Sequence, residues 1–111
     1  MKFTVFIAGS GGIGTAVGML LRLVWEHEVD LILGDISITN AQKSKHDIEA
    51  AGVANGSVVA LEMVNDWDTK VGHAHILLDC LPGRFAPHMA RVALKNNMHY
   101  HLKYRLFLQS P

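Results

Sequence analysis

The feature that most constrains this chain is a glycine cluster near its start. Gly9, Gly11 and Gly14 stand as G-x-G-x-x-G within Ala8-Gly9-Ser10-Gly11-Gly12-Ile13-Gly14. An apolar run, 3–8, precedes the cluster, and a helical pattern, 13–23, follows it. A second apolar run, 29–33, leads through Gly34 to Asp35, which lies 21 residues beyond Gly14. A strand, a glycine turn, a helix and a second strand closed by an acid about 20 residues on form the pattern of a dinucleotide-binding βαβ unit.

Each residue of the pattern has a distinct physical task. Gly9 permits the tight turn out of the first strand, and Gly11, lacking a Cβ, lets backbone approach a pyrophosphate. Gly14 allows the helix to pack closely on the sheet. The helix start around Gly12 and Ile13, with Ser10 before it, offers unpaired N–H groups and a positive dipole end to phosphates. Asp35 can accept hydrogen bonds from the adenosine ribose hydroxyls. A 2′-phosphate would meet that carboxylate, and no arginine stands in Ile36-Ser37-Ile38-Thr39 to receive it. NAD is therefore the expected cofactor, with NADP the second choice.

Composition narrows the remaining classes. The 111 residues carry zero formal net charge and no basic run, which argues against nucleic acid as a partner. Cys80 is the single cysteine, so no internal disulfide can form, and a reducing, cytoplasmic setting is expected. The apolar run at 3–8 passes straight into the glycine motif and reads as a strand instead of a leader. No run approaches membrane-spanning length, so no membrane association is expected.

Strands are expected at 3–8, 29–33, 57–63, 74–81 and 98–103. Helices are expected at 12–25, 40–51 and 85–96, with a short helical turn at 67–71. The first helix is expected to bury Ile13, Val17, Leu20, Leu21 and Val24 by their spacing. Thr39 or Asn40 is expected to cap the second helix, and Gly52 to end it. Asn55-Gly56 signals a turn. Pro87 fits the first turn of the third helix, where its missing N–H is tolerated. Alternating strands and helices imply an α/β, three-layer Rossmann fold with a parallel sheet in the order 3-2-1-4-5. The ligand crevice should lie at the carboxyl ends of strands one and four. Ile36 and Ser37 would border the adenosine there, with Met63 and Val64 after strand three, while Leu81 and Pro82 would approach the nicotinamide ribose and pyrophosphate.

Beyond this general pattern, three further segments resemble the saccharopine dehydrogenase family. They are Leu77-Leu78-Asp79-Cys80-Leu81-Pro82, then Ala86-Pro87-His88-Met89-Ala90-Arg91-Val92-Ala93-Leu94, then Asn97-Met98-His99-Tyr100. In that family a strand ends in a small or apolar residue plus Pro, a helix with A-x-x-A-L follows, and a His-Tyr pair opens the next strand. The opening Ile7 to Gly14 is similar to its first βα turn. The resemblance covers residues 1 to about 100. It implies a pyridine-nucleotide oxidoreductase at C–N bonds of amino-acid-type substrates, with an amino-terminal cofactor domain and a much larger substrate domain. Residues 1–104 correspond to the cofactor domain, and 105–111 form an atypical tail. The chain departs from the family at Met63-Val64, where an Asp is usual, and at His101-Leu102-Lys103, where an apolar residue and Asp are usual. No catalytic residue is carried over, and the chain alone is expected not to catalyse. A rival expectation is a non-enzymatic nucleotide-sensing domain resembling those of potassium-uptake systems. Leu81-Pro82 and His99-Tyr100 favour the oxidoreductase.

Other reactive residues carry less. His73 and His75 lie near the start of strand four, and His99 and His101 near the start of strand five, so four imidazoles could approach one another. Without an obvious carboxylate partner they are read as solvated or core residues, and no metal site is expected. Cys80 reads as a small buried residue. The last strand is an expected sheet edge followed by Leu106, Phe107 and Leu108, which predicts a homodimer through residues near 99–108.

Overall fold

In a computed structural model, residues 2–25, 27–51 and 56–103 are described. Five parallel strands, β1 (Lys2–Ala8), β2 (Glu28–Asp35), β3 (Val58–Glu62), β4 (Ile76–Asp79) and β5 (His99–Leu102), form one sheet in the order β3-β2-β1-β4-β5. Helix α1 (Gly12–Val24) joins β1 to β2, α2 (Ile38–Ala50) joins β2 to β3, and α3 (Ala86–Lys95) joins β4 to β5. Short 3-10 turns occupy Trp67–Lys70 and Gly83–Phe85. This is the expected Rossmann topology. The expected tail at 105–111 and the stop at Gly52 lie outside the described residues, as does Asn55 of the Asn55-Gly56 turn.

Alternation along β1 divides the core between the two sheet faces. Val5 and Ile7 pack with Leu31, Leu33 and Ile48 under α1 and α2. Phe6 and Ala8 pack with Leu77, Met89, Val92 and Ala93 under α3. Both faces of β1 are covered, and Val5, Phe6, Ile7 and Ala8 are at most 1 % exposed. That explains why β1 reads as a continuous apolar run and not as an alternating one.

The buried face of α1 differs from expectation. Gly14, Gly18 and Arg22 are buried there. Ile13, Leu20 and Val24 are exposed instead, at 38 %, 55 % and 76 %. Glycines set the phase of the helix. A Cβ at Gly14 would land on the Gly9 carbonyl, and one at Gly18 would meet the Ile48 Cδ1 at 2.6 Å. The helix can lie close to the sheet and to α2 only along its glycine line.

The cap of α2 is Ser37, not Thr39 or Asn40. Its Oγ accepts the Asn40 N–H at 3.3 Å. Ser37→Ala is expected to lower stability by about 1 kcal/mol, read as an earlier urea midpoint with an unchanged slope. An unshifted midpoint would remove the cap from the description.

Candidate functional site

The carboxyl ends of all five strands lie on one edge of the sheet, and the connections from β1 and β4 leave toward opposite faces. The gap between them is where α/β sheets place ligands. The glycine loop occupies it. Gly9 has φ +98°, a left-handed conformation that favours glycine, and its N–H donates to the Gly34 carbonyl at 2.8 Å. A Cβ on Gly9 would sit 2.9 Å from the Cys80 carbonyl carbon. The loop is thereby pressed between β2 and the end of β4. Gly11 is the N-cap of α1 and supplies no side-chain acceptor. The first N–H groups of α1 are left open at the mouth of the site. A Cβ added at Gly11 or Gly12 would meet nothing within 4 Å.

Asp35 is tied to this loop. Its Oδ2 accepts the Ser10 N–H at 3.1 Å, and its Oδ1 accepts the Ser37 N–H at 2.9 Å. Ser10 is buried, and its Oγ donates to the Gly34 carbonyl at 3.0 Å. Both carboxylate oxygens are oriented by backbone, and each keeps a further lone pair for a ligand hydroxyl. The structure thus brings together Gly9, Ser10, Gly11, Gly12, Ile13, Gly14, Asp35 and Ser37 as the spacing requires.

Next to Asp35 lies an apolar cavity of about 160 Å³. Ile36, Met63 and Leu81 line it together with Trp67, Phe85, His88 and Met89. Val64 and Pro82, also expected to border the site, are exposed and do not line this cavity. Trp67, Phe85, His88 and Met89 were not anticipated. Trp67 packs against Phe6 at 5.7 Å between ring centroids and meets His88 edge-on at 6.0 Å. It comes from the 3-10 turn after β3, a segment with no periodic signal. A second, more polar hollow of about 420 Å³ opens on the other side of the loop, between α1 and α2, lined by Ser10, Gly11, Thr15, Asn40, Lys43 and Ser44 among others. Thr15 and Ser44 join the two helices there, with their hydroxyl oxygens 2.7 Å apart.

Asp79 closes β4 and is 1 % exposed. Its Oδ1 accepts the Leu81 N–H at 3.1 Å, and its Oδ2 accepts the Tyr100 hydroxyl at 2.7 Å. The carboxylate fixes the chain where it turns into the cavity wall at Leu81. Burial raises the Tyr100 phenol above its ordinary range, and the Asp79 hydrogen bond and charge add to the effect. Burial also pushes the Cys80 thiol up to about 11, with Asp79 adding and Lys103 opposing. The thiol is protonated at neutral pH and is no nucleophile. Both groups hold their protons more tightly when folded, so the unfolded chain releases them first. Stability is expected to be full below the ordinary thiol range and to fall as pH rises through about 9 to 11. Tyr100→Phe should flatten the upper part of that fall in urea titrations at stepped pH. Equal stability at pH 8 and pH 11 would contradict the tighter hold on both protons in the folded chain.

The histidines do not assemble within the chain. Nδ1 of His75 accepts the Thr4 N–H at 2.9 Å, and its ring packs edge-on against Phe3. His99 and His101 sit on β5. Among the described residues, no three His, Cys, Asp or Glu side chains could hold a metal ion. Among the same residues, no helix is long and apolar enough to cross a membrane.

No protein-family model matches the sequence, and no curated protein matches it. Solved structures do. Saccharopine dehydrogenase (L-Glu forming) from Saccharomyces cerevisiae superposes with a TM-score of 0.68 at 17 % identity over 90 % of this chain and 21 % of that one. Scyllo-inositol dehydrogenase from Lactobacillus casei gives 0.68 at 17 % identity, over 91 % of this chain and 28 % of that one. Lactate dehydrogenase from Eimeria maxima, solved with NADH and oxamate, gives 0.63 at 15 % identity, over 92 % and 36 %. The chain spans about a fifth to a third of these proteins' lengths. It carries the Rossmann fold that these dehydrogenases share.

Proposed function

We propose that the chain binds a nicotinamide dinucleotide, with preference for NAD(H), and serves as the cofactor domain of a saccharopine-dehydrogenase-like oxidoreductase acting on C–N bonds of amino-acid-type substrates. The observation that carries this reading is the Asp35 carboxylate, oriented by two backbone N–H groups beside an open helix terminus. The pyrophosphate lies against the N–H groups at Gly11 to Gly14, where the helix dipole offsets its charge. Space beyond Gly11 and Gly12 is what close approach of a phosphate requires. Asp35 accepts from the ribose diol and repels a 2′-phosphate. The adenine enters the apolar cavity bounded by Ile36, Met63, Leu81 and Trp67. Pro82, which does not line that cavity, lies toward the nicotinamide half. The fold is the one that the Eimeria enzyme uses with NADH.

No residue at this edge is proposed to do chemistry. Hydride transfer needs a second surface that holds the substrate against the nicotinamide and excludes water. The isolated chain is therefore proposed to be inactive. It is also proposed to form a homodimer through β5 and the residues that follow it, because β5 is an end strand of the sheet among the described residues and an unpaired strand edge templates pairing.

Amide NMR spectra test the site. Addition of NADH should shift the Ser10 to Gly14 and Ser37 signals and the Trp67 indole while leaving Asn97 and Met98 in place. Shifts confined to other elements, or turnover by the isolated chain with any amino acid and oxo acid pair, would overturn the reading.

A further inference from the structure

The edge of the sheet formed by β5 carries two exposed imidazoles on one face. His99 and His101 are in register with Ile76 and Leu78 of β4, so all four side chains lie on the face that α1 and α2 cover farther along the sheet. Ile76 and Leu78 are only partly buried there, and His99 and His101 are exposed. Parallel sheets are ordinarily covered on both sides.

The backbone directions on β5 are set by one bond. The His99 N–H donates to the His75 carbonyl at 2.9 Å. Main-chain polar groups alternate sides along a strand, so His99 and His101 spend theirs on β4, while Tyr100 and Leu102 turn theirs outward. Among the described residues nothing pairs with that outer edge.

We propose that His99 and His101 are half of a divalent transition-metal site completed by the same residues of a second chain, paired antiparallel along β5 about a two-fold axis at Tyr100. This deepens, and rests on, the dimer proposed above; it is independent of the dinucleotide. Tyr100 of each chain exchanges both main-chain hydrogen bonds with its counterpart. His99 then stands opposite His101 of the partner subunit in a non-hydrogen-bonded pair, the closer kind, with Cβ atoms about 5 Å apart. Along each strand the two histidines are about 7 Å apart. Four imidazoles on one open face at those spacings can converge on a single ion at about 2.0–2.1 Å, as tetrahedral zinc requires. Imidazole ligands suit zinc, nickel, copper or cobalt over calcium or magnesium. Each chain offers two of the four ligands, and among the described residues one copy alone holds no site. Lys103, the residue after β5, has its Nζ 3.3 Å from the Cys80 carbonyl. The Tyr100 hydroxyl stays with Asp79 on the opposite face, so pairing leaves that bond intact.

The test is sedimentation equilibrium of the chain after chelation, then with zinc chloride, alongside cobalt chloride spectra. Zinc should saturate at one ion per two chains. Free zinc at ten times the site's dissociation constant should tighten the dimer about tenfold. Cobalt should give the intense visible bands of a tetrahedral nitrogen site. His99→Gln and His101→Gln, each checked for native circular dichroism, should abolish all three responses, and His73→Gln should leave them unchanged. A dimer of equal strength with chelator and with zinc would overturn the metal bridge while leaving the dimer. A monomer under both conditions would overturn both. Responses retained in both β5 variants would overturn the assignment of these ligands.

Discussion

Asp35→Ala is expected to weaken NADH binding about a hundredfold, with a smaller loss for NADPH. The carboxylate offers the ribose diol two charge-assisted hydrogen bonds, each contributing about 1.5–3 kcal/mol. Competition with water for the vacated space returns part of that, leaving a net loss of about 3 kcal/mol, which is two powers of ten. A second loss accompanies it. The Ser10 and Ser37 N–H groups would no longer share an anchor, so the glycine loop and the start of α2 would be less well fixed relative to each other. NADPH should suffer less because its 2′-phosphate gains from removal of a negative charge. Fluorescence titration of bound NADH measures the effect directly. Unchanged affinity for NADH in the variant would mean that the ribose does not lie on Asp35.

Gly14→Ala is expected to be the most damaging of the single-methyl additions to the loop, lowering stability by about 3 kcal/mol. The added Cβ collides with the Gly9 carbonyl, which is backbone already held by the bond from Gly9 N–H to Gly34. The Ile7 side chain, 3.2 Å from the same point, blocks the other way out. Gly11→Ala makes the informative contrast. Its Cβ would point into open space, so folding should lose no more than about 1 kcal/mol, the usual penalty for a poorer N-cap. Dinucleotide affinity should nevertheless fall at least about tenfold, because the methyl occupies the approach of the pyrophosphate. Urea unfolding and NADH titration of the two variants separate a glycine kept for packing from one kept for a ligand. Equal destabilisation of both variants would contradict that division.

Much of this organisation is legible in the sequence because local and long-range signals coincide. Apolar strands, a glycine turn, and Asp35 at the end of β2 all point to one topology, and the order β3-β2-β1-β4-β5 follows from it. The glycine loop and its acid were readable for the same reason. The buried face of α1 was not. Ile13, Val17, Met19, Leu20, Leu21, Leu23 and Val24 wrap most of the helix, so apolar spacing cannot choose a side. The choice is made by the Gly14–Gly18 line, which periodicity does not score. The cap of α2 was misplaced because Ser37, Thr39 and Asn40 all suit the role and stand within four positions.

Contacts between segments distant in sequence were equally hidden. Trp67, Phe85, His88 and Met89 reach the cavity from two different connections, and no spacing rule joins them to Ile36. Tyr100 finds Asp79 across 21 positions, and Thr4 finds His75 across 71. These pairings exist only once β1, β4 and β5 have set their register.

The most direct measurement is calorimetric titration of the native chain with NADH and NADPH under matched conditions. Binding of NADH at one per chain, at least about tenfold tighter than NADPH, is the result expected from an Asp35 carboxylate that faces the ribose diol. Silence from both nucleotides, or equal or tighter binding of NADPH, would contradict it.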